Sequence, residues 1–259
     1  MKIGIVGLGV MGSAMAKVIA QKNELALFSR NPEKVMRFAK EEGGKACKSL
    51  EELANFSEAI ILAVKPKQLD LVAEDLDPLI KKETLLLSIL GGISLDTLKS
   101  RFSNGIPFRV MPNLPLLCKK GVIGIADEEG IDAQLKKKVK EILGDLGFVT
   151  WIEEELMNSF ASLTGSNPAL IYVLIEAMVD AGIRLGFKGD TSLDYVLKTI
   201  EGSVKLVQES GKSPQELRHQ VCSPGGTSIV GVEALEEAGV RYGVMEALRR
   251  IALAAKQDH

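Results

Sequence analysis

The start of the chain leaves few folds open. A short apolar run ending at Val6 leads straight into Gly7-Leu8-Gly9-Val10-Met11-Gly12, and a segment of helical character follows. This is GxGxxG at a strand-to-helix turn. Gly7 permits the tight turn, Gly9 leaves bare backbone for a pyrophosphate to approach, and Gly12 lets the helix pack closely on the strand. An ordinary glycine-rich turn could carry the same letters. The strand before the motif and the helix behind it favour the nucleotide reading.

The rest of the first half extends that pattern. Strand signals fall at residues 2–7, 24–28, 59–64, 85–89, 107–111, 122–126 and 148–152. Helical signals fall at 10–21, at 32–41 behind a cap near Ser29 or Asn31, and at 132–143. The runs at 59–64 and 85–89 are continuously apolar, as in strands buried on both faces of a parallel sheet. We expect an α/β fold with a doubly wound, Rossmann-like dinucleotide-binding domain over residues 1–153. After Trp151 strand signals vanish. Helices are expected at 168–185, 192–208, 214–221, 227–237 and 242–255, making an all-α domain over 154–259. The first is apolar almost all round, which predicts burial in its own domain or against a second copy, hence a homodimer. Glu176 and Asp180, one turn apart on it, are expected to be paired at that interface rather than catalytic.

Composition narrows the function. A hydrophobic share of 46% is ample for a core, and a net charge of -2 gives no reason to expect nucleic acid. Cys47, Cys118 and Cys222 match neither a zinc spacing nor a disulfide framework, so no metal is expected and the setting reads as reducing. No leader pattern opens the chain, and the apolar stretches 59–64 and 85–90 are too short to span a bilayer. The expectation is a cytoplasmic protein without membrane association.

The end of the second strand sorts the cofactor. NAD sites usually carry Asp or Glu there; here Ser29-Arg30-Asn31 offers no carboxylate to repel a 2′-phosphate and a guanidinium to pair with it. NADP(H) is therefore expected, with NAD(H) possible. The alternative is that Ser29 or Asn31 only caps a helix and Arg30 is solvated. Ala63-Val64-Lys65-Pro66, Gly91-Gly92-Ile93 and Arg109-Val110-Met111-Pro112-Asn113 also fall at strand ends, where open α/β sheets bind ligands. Lys65 can reach the ribose or nicotinamide, or stand as a solvated loop lysine.

Far from these, Cys222-Ser223-Pro224-Gly225-Gly226-Thr227-Ser228 precedes a helix. Two glycines, three hydroxyls and a helix N-terminus make a nest for a small anion, above all a carboxylate. A plain turn in which Thr227 or Ser228 caps the helix fits the same letters. His219 and His259 are the only histidines; His219, among Glu216, Arg218 and Gln220, reads as part of a solvated helix face.

Together the motifs resemble the pyrroline-5-carboxylate reductase family: GLGVMG at Gly7–Gly12, SRNPEK at 29–34, AVKP at Ala63–Pro66, LGGI at Leu90–Ile93, RVMPN at Arg109–Asn113, LTGSNPA at Leu163–Ala169 and SPGGTS at Ser223–Ser228. The resemblance implies an NAD(P)H-dependent reduction of the C=N of 1-pyrroline-5-carboxylate to L-proline. It also implies a helical domain that intertwines in a homodimer, with some members forming higher oligomers such as a decamer. It implies cofactor contacts at Gly7–Gly12, Ser29, Arg30, Val64, Lys65 and Gly91, with Met111, Pro112 and Asn113 near the nicotinamide. Substrate would lie against Ser223, Gly225, Gly226, Thr227 and Ser228. Backbone N–H groups of Gly225, Gly226 and Thr227 would hold the carboxylate with Ser223, and Ser228 or Thr227 would act catalytically at the ring nitrogen. The chain departs from the family at Leu114, Asn167 and Ser228, and Ser49-Leu50 stands near where a ribose-contacting Asn is common. Alternatives are a reductase of a related cyclic imine and a non-catalytic NADP-binding protein. A third, a β-hydroxyacid dehydrogenase, lacks its lysine in 165–176.

Overall fold

A computed structural model of the protein describes residues 1–257. The chain divides into two compact units, residues 1–166 with the C-terminal residues from 252, and residues 167–251.

The first unit is a sheet flanked on both faces. Its strands are β1 (Lys2–Val6), β2 (Glu24–Phe28), β3 (Lys45–Ala46), β4 (Ala59–Leu62), β5 (Leu85–Ser88), β6 (Ile106–Met111), β7 (Gly121–Asp127) and β8 (Gly147–Glu153). They form one eight-stranded sheet in the order β3-β2-β1-β4-β5-β6-β7-β8. Alternate residues feed opposite cores, as strand geometry requires. Ile3, Ile5, Leu25, Leu27, Ile61 and Leu87 pack against α1 (Val10–Ile19), with Val35 of α2 (Pro32–Glu42) in the same core. Val6, Ala26, Ile60, Leu62 and Leu86 pack against α3 (Leu50–Phe56), α4 (Leu69–Leu76) and α5 (Leu95–Arg101).

One pairing corrects the expectation of a parallel sheet: β6 and β7 run antiparallel. Parallel neighbours need a crossover of about a dozen residues or more. The stretch 112–120 between them holds only a 3-10 turn, Leu114–Cys118. Parallel pairing resumes between β7 and β8, which are joined through α6 (Ala133–Leu143), capped by Asp132. After β8 come the short helix α7 (Met157–Phe160) and a π turn, Ala161–Gly165.

The second unit contains α8 (Asn167–Arg184), α9 (Gly189–Ser210), α10 (Pro214–Val221) and α11 (Thr227–Glu237), and α12 (Val240–Gln257) begins in it. Among the described residues between 167 and 251 only Ser192 is buried. Leu185 is 79% exposed, Val173 62% and Tyr172 53%. These helices enclose no core of their own.

A second correction concerns apolar length. The helical run Glu154–Arg184, 31 residues, is long and apolar enough to cross a membrane by those two measures alone. Glu176, Asp180 and Arg184 interrupt it, so length and composition do not decide its surroundings.

Candidate functional site

In a doubly wound sheet the ligand crevice opens where the strand order reverses. Here the chain leaves β1 for β2 on one side and returns to β4 on the other. The ends of β1 and β4 bound a cleft of about 300 Å³ lined by Gly7, Leu8, Gly9, Ser29, Arg30, Asn31, Ala63, Val64 and Lys65. Gly7 has φ +102, and a Cβ there would come 2.6 Å from the Ala63 carbonyl oxygen, so only glycine lets β1 and β4 close this crevice. A Cβ on Gly9 would meet no protein atom within 4 Å. That bare edge is the room a pyrophosphate needs, and the cradle fits a dinucleotide.

A second cleft of about 760 Å³ lies in the same unit and shares Lys65. Met11, Gly91, Gly92, Met111, Pro112, Asn158 and Gly165 line it. Lys65 thus stands where the two clefts meet, and its ammonium has no ion-pair partner among the described residues.

Three residues expected at the cofactor are not among those that line either cleft. Val10 is 78% exposed at the first position of α1. Gly12 faces the strand: its missing Cβ would crowd the Gly7 carbonyl. Asn113 is buried, donating through Nδ2 to the Thr164 carbonyl at 3.0 Å and accepting at Oδ1 from the Val122 amide at 2.8 Å. It braces the cleft wall from behind. Asn31 does cap α2, accepting from the Lys34 amide at 3.1 Å, and this leaves its own amide hydrogens free to donate.

The glycine loop lies in the second unit. Gly225 takes the left-handed region, φ +69. Gly226, with extended backbone, is the N-cap of α11 and no side chain caps the helix. The expected alternative, a cap by Thr227 or Ser228, is therefore corrected: these are the first two residues inside the helix. The amide of Gly226 is also corrected as a carboxylate donor, because it donates to the Ser223 carbonyl at 3.0 Å. The amides of Thr227, Ser228 and Ile229, in the first turn of α11, have no intrahelical acceptor. Ser223, Thr227 and Ser228 make no side-chain hydrogen bond among the described residues, and none is buried. A Cβ on Gly226 would collide with Ser223 Oγ, so glycine there keeps that hydroxyl over the helix end.

α10 delivers the chain to this loop. A capping box between Ser213 and Glu216 starts it, and the backbone N–H and hydroxyl of Ser213 hold the Glu216 carboxyl below its usual range. His219 is exposed, its ring beside Arg218 at 3.3 Å. His259 lies outside the described residues. Glu176 and Asp180 are exposed, with no partner among the described residues. Nor do the described residues hold a cluster of three metal-ligating side chains.

Residues 154–258 match the family described as "Pyrroline-5-carboxylate reductase dimerisation", and residues 2–92 the one described as "NADP oxidoreductase coenzyme F420-dependent". The pyrroline-5-carboxylate reductase of Aquifex aeolicus is 35% identical over 260 residues, covering 99% of this chain and 97% of the relative. The chain belongs to the pyrroline-5-carboxylate reductase family. Solved structures of family members agree. The Plasmodium falciparum pyrroline carboxylate reductase with NADP bound superposes with a TM-score of 0.90 at 32% identity, covering 99% of this chain and 97% of that one. The Streptococcus pyogenes 1-pyrroline-5-carboxylate reductase gives 0.89 at 29%, with 99% and 98% covered. As a family member, the chain pairs a Rossmann-like N-terminal region with an all-α dimerisation domain.

Sequence reasoning missed several cleft residues. Lys34 lines the same cleft as Arg30 and adds a second cation. Gln68 also lines it and fixes the Lys65 turn, accepting from the Lys65 amide at 3.2 Å. Lys34 could have been found: it stands three residues past the Asn31 cap, on the first turn facing the strand ends. Asn158 had no sequence signal, because its position depends on Arg109, a distant residue in sequence.

Proposed function

We propose that this protein reduces the C=N bond of 1-pyrroline-5-carboxylate to L-proline with NAD(P)H. The loop Ser223–Ser228 carries the reading. It combines free amides of the first turn of α11 with hydroxyls that no other group occupies. Such a loop suits an imino acid, which offers a carboxylate and, one ring bond away, a nitrogen.

The residues divide the work. The amides of Gly225, Thr227 and Ser228 and the Ser223 hydroxyl hold the carboxylate. Thr227 or Ser228 hydrogen-bonds the ring nitrogen and fixes which face of the ring is presented. Gly7, Gly9, Ser29, Arg30, Asn31 and Lys65 hold the dinucleotide, with Arg30 and Lys34 favouring the 2′-phosphate of NADP(H). When bound, the reduced nicotinamide supplies hydride. At the protonated imine the new C–H bond takes the hydride pair, the C=N π pair becomes the nitrogen lone pair, and the nitrogen keeps its proton. No side-chain acid is needed, which agrees with the solvated position of His219. Orientation supplies the rate: two reactants held at near-attack distance gain several kcal/mol.

Residues 1–153 serve the cofactor, and residues 154–259 serve dimerisation and substrate. The protein is a homodimer through the latter. The exposed apolar surface of α8 and α9 supports this, including a groove of about 570 Å³ lined by Met178, Leu185, Phe187, Tyr195 and Val196. A higher assembly such as a decamer is a further proposal, open to light scattering.

The test follows NADPH and NADH consumption with pyrroline-5-carboxylate, its six-membered homologue and a 3-hydroxy acid. Turnover of the five-membered imine is expected to exceed that of both others. Faster turnover of the larger ring would move the assignment to a related cyclic imine, and no imine turnover would end it.

A further inference from the structure

Arg109 of β6 is 4% exposed. Its Nη1 donates to Glu154 Oε1 at 2.7 Å and its Nη2 to Asn158 Oδ1 at 2.6 Å. A guanidinium only donates. Asn158 must therefore turn its amide oxygen to Arg109 and its NH2 away. That NH2 has no partner among the described residues, and Asn158 is one of the residues lining the 760 Å³ cleft, with Met111, Pro112 and Gly91.

The wall that carries Asn158 is held at its other end too. Asn113, four residues along from Arg109, donates to the Thr164 carbonyl at 3.0 Å. One clamp falls just before the π turn Ala161–Gly165 and the other within it, and π turns recur where a helix is shaped for a site. Asn158 is thus a donor of fixed orientation on a braced wall. Its cleft joins, at Lys65, the cleft of Ser29, Arg30 and Asn31. If the latter takes the adenosine end of a dinucleotide, the former takes the nicotinamide end, whose one polar substituent is a carboxamide.

We infer that Asn158 Nδ2 donates to the carboxamide oxygen of the nicotinamide, and that Arg109 is the positioning residue that sets this orientation. The inference rests on the NAD(P)H reading above.

Calorimetric titration of the full-length protein tests it with three probes: NADP+, thio-NADP+, in which the carboxamide oxygen is sulfur, and 2′,5′-ADP, which lacks nicotinamide. Sulfur is a weak acceptor. The unaltered protein should bind thio-NADP+ about threefold or more weaker than NADP+. In Asn158→Ala, NADP+ should weaken by about 5- to 20-fold, the NADP+/thio-NADP+ difference should vanish, and 2′,5′-ADP should bind as before. A merely structural role would leave the ratio of the two dinucleotides unchanged, and that result overturns the inference. Equal weakening of all three probes overturns it as well, since the change would then act through the fold. If the unaltered protein binds none of them, the dinucleotide reading itself fails and the inference falls with it.

Discussion

Ser192 of α9 donates its hydroxyl to the Val179 carbonyl of α8 at 2.9 Å, fastening the two longest helices of the second unit together. The contact works because Gly182, one turn beyond Val179, has no side chain: a Cβ there would run into Ser192 Oγ. Gly182→Val should destabilise the protein by about 1–3 kcal/mol through overpacking. Urea unfolding at fixed protein concentration measures it, and an unchanged midpoint would show that the hairpin separates without cost.

Arg30 and Lys34 line one cleft with no carboxylate at the end of β2. Arg30→Asp should raise KM for NADPH by about 10- to 100-fold while leaving NADH within a few-fold. Equal loss with both cofactors would remove the 2′-phosphate from the account.

Gly226→Ala should leave the helices intact, because extended backbone there suits any residue, yet displace the Ser223 hydroxyl. We expect weaker proline binding, by about 5- to 20-fold for a lost hydrogen bond to a carboxylate, with NADP+ affinity unchanged. Unaltered proline affinity would make the loop a simple turn.

The Arg109–Glu154 pair predicts an asymmetry. Arg109 Nε and Glu154 Oε2 are buried without partners, so the pair is already imperfectly satisfied. Arg109→Leu leaves Glu154 facing an apolar side chain. Because the Glu154 side chain keeps 29% of its exposure, the cost should be about 2–3 kcal/mol, below the 3–5 typical of a fully buried pair. Arg109→Leu with Glu154→Leu should recover part of that loss. Thermal melting of the single and double variants decides it.

On α12, hydrogen bonds from Arg249 and Arg250 hold the Glu246 carboxyl down from 4.5 to about 2. A carboxylate depressed by folding stabilises above its unfolded value and loses that contribution as pH falls through the folded one. Glu246→Gln should therefore lower the melting temperature at pH 7, with the difference shrinking between pH 4.5 and about 2. A difference that persists at pH 2 would assign it to packing.

Much of this was legible in the sequence because local chemistry wrote it. The β1 turn, the Asn31 cap and the boundaries of α10 and α11 follow from glycine, proline and capping residues whose effects reach only a few positions. The antiparallel β7 was not legible: the apolar run is the same whichever way it points, and only the short link 112–120 rules out a parallel crossover. α3, α4 and α5 were passed over because each is short and its packing face is set by a sheet distant in sequence. At the site, Gly7, Gly9 and Lys65 stand at the clefts because a motif names backbone positions. Asn113 and Asn158 depend on which partners the tertiary fold brings up, and the spacing of RVMPN says nothing of Thr164 or Glu154.

The second unit buries almost nothing by itself, and this bears on how the protein behaves in dilution. If its helices find their cover only in another copy, folding becomes a second-order event. Apparent melting temperature should climb with concentration, and a freshly made chain would wait, half-finished, for its double. A cell that makes one faulty copy beside one sound copy would lose more than half its working assemblies, since each faulty chain can lock a sound one into a mixed pair.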